Sequence, residues 1–227
     1  MVPTPSSTAR TSILISDNSP DLCISDQEMS NFLSNEDTDI RTLPYSYCST
    51  SSNTGSCVFD NSTLATIDIG CVKIRGDVLI TASDEEHTHK LENVTDILGS
   101  LTIDGTNLTS IDFLDNLENI IALKENQSAI RIQYNEQLSN VTFPNLKRAI
   151  AKPQQAIVFQ NNSENLLMDP SFCFGIRNVL NTTNSFIPTI DGQDCETIEK
   201  DAVVRDKSAT LANMNKFLIL VFCSLYF

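Results

Sequence analysis

The residues of this sequence whose types and spacing suggest chemistry begin with a small histidine cluster. The segment DEEHTHK places His87 and His89 beside Asp84, Glu85 and Glu86. Alternate histidines on a strand can share a metal ion, as imidazole and carboxylate ligands do in zinc sites. These are the only two histidines, and they lie in a strongly polar segment with no evident orienting partner. A solvated loop is therefore the preferred interpretation, and we predict no metal and no other cofactor.

Short motifs that mark common active sites do not occur in the sequence. It contains no G-x-S-x-G elbow, no phosphate-binding P-loop, no GxGxxG fingerprint and no H-E-x-x-H pair. The Asp-Gly pairs at Asp104 and Asp191 are typical of turns. We therefore predict that the protein is not an enzyme. A net charge of −14 and a pI near 4.4 also argue against nucleic-acid partners, because a phosphate backbone requires a basic face.

Cysteines and glycosylation sequons together indicate an extracellular chain. No cysteine forms a C-x-x-C pair or stands at zinc-finger spacing from a histidine, so a disulfide framework is favoured over a metal site. The cysteines are Cys23, Cys48, Cys57, Cys71, Cys173, Cys195 and Cys223. The N-x-S/T sequons begin at Asn61, Asn93, Asn107, Asn126, Asn140, Asn161 and Asn181. We predict a disulfide-bonded protein glycosylated at these asparagines, secreted or held at the cell surface.

The C-terminus gives a second indication of the secretory route. The apolar run Phe217–Phe227 is shorter than the roughly 20 residues that cross a bilayer. Ser208 and the two residues after it are small and are followed by a polar spacer through Lys216, which is the order of a GPI attachment signal with Ser208 as the attachment site. Cleavage there removes Cys223 and leaves six cysteines. A buried terminal strand and a truncated membrane span are the alternatives.

The N-terminal segment conflicts with this route, because its first 20 residues contain no apolar stretch of signal-peptide length. Either the natural precursor begins further upstream, or this is a cytosolic repeat protein with reduced cysteines. The C-terminal pattern favours the first explanation. Residues 1–45 are rich in Ser, Asp, Asn, Thr and Pro and are interpreted as an irregular or disordered lead. One domain at 46–196, a polar linker at 197–216 and the apolar tail at 217–227 complete the organisation.

Four apolar triplets recur along the chain, and they predict the strands that position the other residues of the domain. VLI, LTI, IRI and IVF begin at residues 78, 101, 130 and 157, and this spacing is typical of the coils of a solenoid. Polar turns follow the last three triplets, as DGTNL, QYNEQL and QNNSENL. In such turns Asn and Gly accept left-handed backbone, and side-chain amides bind neighbouring backbone groups.

Alternation within the triplets predicts which side chains form the core. Their outer positions are all large and apolar, so they should face one interior, whereas the middle positions face outward. The expected core residues are Val78, Ile80, Leu101, Ile103, Ile130, Ile132, Ile157 and Phe159. The alternative is an α/β domain in which LENVTDILG and LDNLENIIALKEN are crossover helices. Clean helix start and stop signals are missing from both segments, which favours the solenoid.

Four segments of the chain together resemble the receptor L domain of insulin- and EGF-receptor ectodomains. They are CVFDNSTLATIDIGCVKIRGDVLI, LENVTDILGSLTIDGTNLTSIDFLDNLENI, AIRIQYNEQLSNVTFPNLKRA and a late FCFG. The cysteine pair before the first coil, the G-x-L-x-I strand openings and the F-P-N-L return occur in that order. The kinase-lacking versions found in nematodes are the most similar. The resemblance implies a mainly β, right-handed β-helix or solenoid, leucine-rich-repeat-like, with short helical or irregular caps.

The same resemblance implies disulfides and a binding face. It pairs Cys57 with Cys71 and Cys173 with Cys195, which leaves Cys23 for Cys48. In insulin-type receptors the exposed sheet face of an L domain binds hormone. The matching residues here are Leu79, Thr81, Thr102, Asp104, Arg131, Gln133, Val158 and Gln160. Unlike such receptors, this chain carries one L domain, no furin-like region and no kinase.

Two functions are therefore weighed. In the first, the protein is a non-catalytic ectodomain that binds a peptide growth factor of insulin or EGF type, or a signalling receptor such as a receptor tyrosine kinase, and modulates its signalling. In the second, it is a structural or adhesion glycoprotein of the cell surface without a dedicated peptide ligand. Asn107, Asn140 and Asn161 lie in the turns after the strands and not at the outward-facing strand positions. Glycans there would leave the sheet face free, which favours the ligand-binding function.

Overall fold

Most of the chain winds through stacked coils that build two parallel β-sheets. The computed structural model describes residues 11–15, 22–34, 38–42, 47–48, 55–59, 63–122, 124, 126–151, 156–180 and 187–208. In chain order the elements are β1 (Thr11–Leu14), α1 (Asp26–Leu33), β2 (Thr38–Thr42), β3 (Ser56–Val58), β4 (Lys73–Arg75), β5 (Val78–Ile80), β6 (Asp96–Leu98), β7 (Leu101–Asp104), β8 (Asn119–Ala122), β9 (Ile130–Gln133), β10 (Arg148–Ala151), β11 (Ile157–Gln160), α2 (Glu164–Leu167), α3 (Pro170–Val179), β12 (Thr189–Ile190) and a last helix, α4, at 195–208. Short 3₁₀ helices occupy Leu64–Thr66, Ala82–Leu91 and Asp112–Leu114.

The four predicted triplets lie side by side in one sheet, which we call the front sheet. Its strand order is β12-β11-β9-β7-β5, and all pairs are parallel. The first residues of the triplets, Val78, Leu101, Ile130 and Ile157, are in register. This confirms the parallel stacking of the triplets, and the eight expected core side chains are all at most 1% exposed.

A second parallel sheet, the back sheet, forms the other side of the core, in the order β10-β8-β6-β4-β3. The segments that the α/β alternative assigned to crossover helices contain β6 and β8, so that alternative is wrong. Ile74, Ile97 and Ile120 pair in register along this sheet and belong to the same apolar cluster as the front-sheet residues. Each coil therefore contributes one strand to each sheet, and both sheets bury their inner faces against each other.

The glycines that precede β5 and β7 mark the corner where these two coils pass from the back sheet to the front sheet. A Cβ atom at Gly99 would lie 2.0 Å from the carbonyl oxygen of Gly76, far inside van der Waals contact. Gly76 itself has a φ of 119°, which side chains rarely adopt. Successive coils can stack this closely at the corner because both positions are glycine.

The N-terminal segment differs from the expected irregular lead. Within residues 1–45 the structure describes a parallel pair, β1 with β2, and helix α1, which begins with a capping box between Ser25 and Glu28. Met29 and Ile40 are buried with Leu98 and Ile121, which point outward from the back sheet. We call this unit the N-terminal cover. Its few, widely spaced apolar residues form no periodic pattern of their own, and they pack against the outer side of the back sheet.

Disulfides close both ends of the array. Cys57–Cys71 and Cys173–Cys195 have Cα–Cα distances of 5.7 and 5.5 Å, and Cys23–Cys48 lies in the N-terminal cover at 4.9 Å. The three pairings are those that the resemblance implies. The expected polar linker at 197–216 begins instead as helix α4, which the Arg177–Glu196 ion pair attaches to α3. The tail at 217–227 lies outside the described residues.

Candidate functional site

The outer face of the front sheet, which we call the front face, carries the predicted ligand-binding residues in two rows. The first row contains one residue from each of the strands β5, β7, β9 and β11, in register: Leu79, Thr102, Arg131 and Val158. The second row contains Asp104, Gln133 and Gln160. The structure therefore brings seven of the eight residues together on one flat surface. Thr81 lies just beyond the end of β5.

Exposure divides the front face into an open half and a covered half. Leu79 is 48% exposed, and Thr102 and Arg131 are half-buried. Val158 is only 7% exposed and its neighbour Thr189 on β12 only 1%. The expectation that Val158 stands in an exposed column is therefore wrong, although strand alternation does turn it away from the core. The open surface is restricted to β5, β7 and β9, with Gln160 exposed at its far edge.

Arg131 is the cation at the centre of the open half. Its guanidinium makes one long hydrogen bond, donating to Ser128 Oγ at 3.4 Å, and no carboxylate among the described residues pairs with it. The nearest polar pair in the second row is satisfied internally, since Gln133 Nε2 donates to Asp104 Oδ2 at 3.1 Å. A guanidinium with unused donors can bind a carboxylate in a bidentate manner.

A polar network lies along the edge where the chain enters the front sheet. Asp77 accepts hydrogen bonds from the backbone N–H and hydroxyl of Ser100 and from Lys124 Nζ at 2.6 Å, and Gln127 donates to Ser100 Oγ. Burial of Asp77 raises its pKa, but the hydrogen bonds from Lys124 and Ser100 outweigh it and hold the pKa below the ordinary value. The network fixes the backbone between the back and front sheets and leaves Lys124 exposed beside the open half.

The histidine segment is helical, with Glu86 and His89 exposed to solvent as expected, but Thr81 and Asp84 at its start have a structural role. The predicted polar loop is in fact the 3₁₀ helix Ala82–Leu91, and Asp84 is buried at its start. Its carboxylate accepts hydrogen bonds from Leu64 N, Thr81 N and Thr81 Oγ1 at 2.9 to 3.1 Å. The hydroxyl of Thr81 is thus already used as a cap, which argues against a direct ligand contact. No cluster of His, Cys, Asp or Glu at metal-binding geometry occurs in the part of the chain that the structure describes.

A ladder of buried amides holds the turns that end the front strands. Asn135 is fully buried, and its Oδ1 accepts from Thr106 N and Thr106 Oγ1 at 2.9 and 2.7 Å. Its Nδ2 lies 2.8 Å from Gln133 O and 2.9 Å from Asn162 Oδ1. Each amide thus binds backbone of its own coil or of the preceding one, as the turn composition predicts. The ladder keeps the front strands in register and so keeps the front face flat.

Sequence reasoning missed one exposed aromatic residue at the border of the front face. Tyr134 follows the last residue of β9, is 52% exposed and has a φ of 58°. The same backbone position in the neighbouring coils is held by Gly105 and Asn161, which tolerate positive φ. The turn was identified from its Asn and Gln content, and only the coordinates show that the tyrosine takes the left-handed position.

Three of the predicted glycosylation sites that the structure describes, Asn107, Asn126 and Asn161, lie near the ends of front-sheet strands, whereas Asn93 and Asn140 lie in segments that lead into the back sheet. Asn93, Asn107, Asn126, Asn140 and Asn161 are exposed, and none of them lies in a front-sheet strand. Asn61 and Asn181 lie outside the described residues. Ser208, the predicted GPI attachment site, is exposed at the end of α4 and donates to Val204 O. Among the helices described, none combines the length and the apolar character of a membrane span.

These features define a disulfide-bonded repeat domain whose open sheet face is suited to recognition. A family model of the receptor L domain matches residues 70–183, half of the chain. The chain therefore belongs to the receptor L domain family, whose members are non-catalytic, ligand-binding domains of receptor ectodomains with protein ligands. The family and the three disulfides point to an extracellular or cell-surface protein. Comparison with curated proteins and with solved structures gave no significant match.

Proposed function

We propose that this protein is a kinase-lacking receptor L-domain protein, of the type found in nematodes, that binds a peptide growth factor of insulin or EGF type or a signalling receptor and modulates its signalling. The open half of the front face carries this proposal. It combines an exposed leucine, Leu79, with a guanidinium that lacks a carboxylate partner, Arg131, on a rigid sheet. Arginine is among the residues enriched at the hot spots of protein interfaces, and the exposed leucine adds apolar surface that a partner can bury.

The surroundings of the open half support a protein ligand over a small molecule. Two clefts among the described residues lie away from this face, one between β2 and β10 and one where α2 and the start of α3 meet α4. Glycans on Asn107, Asn126 and Asn161 would border the face without covering its strands. We extend the proposal to a right-handed winding of the coils, the hand that parallel crossovers take in about 98% of cases. Export and either release or anchoring through Ser208 belong to the same proposal.

Binding measurements with matched variants test the proposal. The secreted protein is presented to immobilised insulin-like and EGF-like peptides and to the ectodomains of their receptors. We expect Leu79→Asp and Arg131→Glu each to weaken binding by about ten-fold or more, as loss of an anchoring residue does. Ile69→Asp and Lys200→Glu are the controls, because both side chains are exposed but lie outside the front sheet.

The outcomes separate the two candidate functions. Binding that all four variants retain equally would show that the ligand uses another surface. A protein that binds none of the peptides or receptors would instead fit the structural or adhesion role, in which the sheet has no dedicated ligand.

A further inference from the structure

Tyr134 occupies a backbone position that suits other residues better. The register of β7, β9 and β11 aligns Gly105, Tyr134 and Asn161, with φ angles of 62°, 58° and 51°. The backbone N–H of Gly105 donates to Gln133 O, and that of Tyr134 donates to Gln160 O, both at 3.0 Å. Glycine and asparagine tolerate this left-handed conformation, whereas a tyrosine is strained in it. The backbone conformation therefore gives no reason for a tyrosine at this position.

The side chain of Tyr134 is also unused by the fold. It is 52% exposed and belongs to neither apolar cluster. Among the described residues it makes no side-chain hydrogen bond and no ring contact with another aromatic residue. A large exposed ring on a strained backbone needs an explanation from outside the protein chain's own packing.

Asn161 lies in the position next to this ring. Adjacent strands are about 4.8 Å apart, so the Cα atoms of Tyr134 and Asn161 are neighbours across one strand spacing. The two residues hold equivalent positions in neighbouring coils with similar φ angles, 58° and 51°, so their side chains leave the corner in similar directions. The backbone of Asn161 is held in place, since its N–H donates to Asp191 Oδ1 at 2.8 Å. Asn161 begins the sequon Asn-Asn-Ser.

We propose that Tyr134 is the platform on which the first N-acetylglucosamine of a glycan on Asn161 packs. The C–H groups on one face of the sugar ring carry partial positive charge and match the negative face of an aromatic ring. In the transfer, Asn161 Nδ2 forms a bond to C1 of the sugar and loses a proton. The bond from C1 to the lipid pyrophosphate of the oligosaccharide donor breaks, and the pyrophosphate oxygen keeps the electron pair. The inference rests on the proposed passage of the protein through the secretory route.

A double-mutant cycle on the full chain, secreted from eukaryotic cells, tests this packing. Tyr134→Asn is combined with Asn161→Gly, and the folding equilibrium constant of each form is measured by urea denaturation. In the glycosylated parent, Tyr134→Asn removes the sugar contact; without the sequon, it only relieves backbone strain and stabilises the protein. We expect the two effects to differ by about five-fold in the equilibrium constant, a ratio that corresponds to ~1 kcal/mol.

Asn126 provides the matched control, because it is an exposed sequon asparagine with a φ of 60° on the side of β9 away from Tyr134. Tyr134→Asn and Asn126→Gly should be additive. A second readout is the proton NMR spectrum of the Asn161 glycan. Ring protons of its first sugar should shift upfield beside the tyrosine ring and return to ordinary positions in Tyr134→Asn.

Each outcome bears on a different proposal. Mass spectrometry that finds Asn161 unmodified overturns both this inference and the glycosylation part of the proposed function. A modified Asn161 with an additive cycle and no change in the sugar resonances overturns the inference alone. Coupling confined to Asn161, together with the upfield shift, supports it.

Discussion

Replacing Asn135 by leucine should destabilise the protein far more than replacing an exposed asparagine of the same array. The Asn135 side chain is fully buried, and leucine has a similar shape but cannot form hydrogen bonds. The substitution therefore removes the amide while it keeps most of the volume. What it leaves behind is a set of buried polar groups without partners.

The structure gives the size of the effect. Thr106 N and Thr106 Oγ1 both lose their acceptor, Asn135 Oδ1, whereas Gln133 O keeps the backbone N–H of Gly105 as a donor. A buried polar group without a partner costs about 1–3 kcal/mol, so the loss should be about 2–6 kcal/mol. That is a large fraction of the roughly 5–15 kcal/mol by which domains are stable. Asn162 Oδ1 keeps one donor, the backbone N–H of Asn135, and adds little to the loss.

Urea denaturation followed by circular dichroism measures the change in the free energy of unfolding. Asn145→Leu is the control, because Asn145 is exposed and its amide donates only to Asp115 O. We expect that variant to lose less than about 1 kcal/mol, since water can replace the bond. Equal losses for the two variants would refute the argument that the buried ladder holds the turns.

Two further predictions concern the N-terminal cover and the Asp77 network. Met29→Ala should accelerate limited proteolysis within the cover while binding at the front face is retained, because Met29 is 1% exposed and packs only in the cluster on the back sheet; loss of binding would contradict this separation. Asp77 has a folded-state pKa below its ordinary value of 3.8, so its stabilising contribution is complete above that value and is lost as the pH falls through the lower folded pKa. Asp77→Asn should therefore flatten the fall in stability below about pH 4, whereas an unchanged acid profile would show that the contacts with Lys124 and Ser100 do not matter to folding.

The front sheet was predictable because its strands alternate. Ile130 and Ile132 face the core and Arg131 faces outward, a pattern of period two that local sequence alone displays. The back sheet lacks this signal. All residues of β6 and β8 are buried, since the N-terminal cover lies over the outer side of the sheet, and such runs cannot be distinguished from buried helix by periodicity.

Features that depend on distant contacts escaped the sequence reasoning. Val158 sits at an outward position by alternation, and only the folded chain shows that it is covered. Asp84 belongs to a polar run that resembles a loop, and its burial follows from Leu64, 20 residues earlier in the chain. For Tyr134 the sequence predicted the turn, but it did not predict that the tyrosine itself adopts the left-handed backbone conformation.

The paired disulfide closures have a consequence for the evolution of length in this array. Each coil touches mainly the coil before and the coil after it, so duplicating one from the middle would preserve every contact type. The first and last coils differ from this, because Cys57–Cys71 links β3 to the segment before β4 and Cys173–Cys195 links α3 to α4. Lengthening the recognition surface is therefore easiest by inserting coils between the two ends. Each inserted coil would increase the distance between the two disulfides and leave both disulfides unchanged.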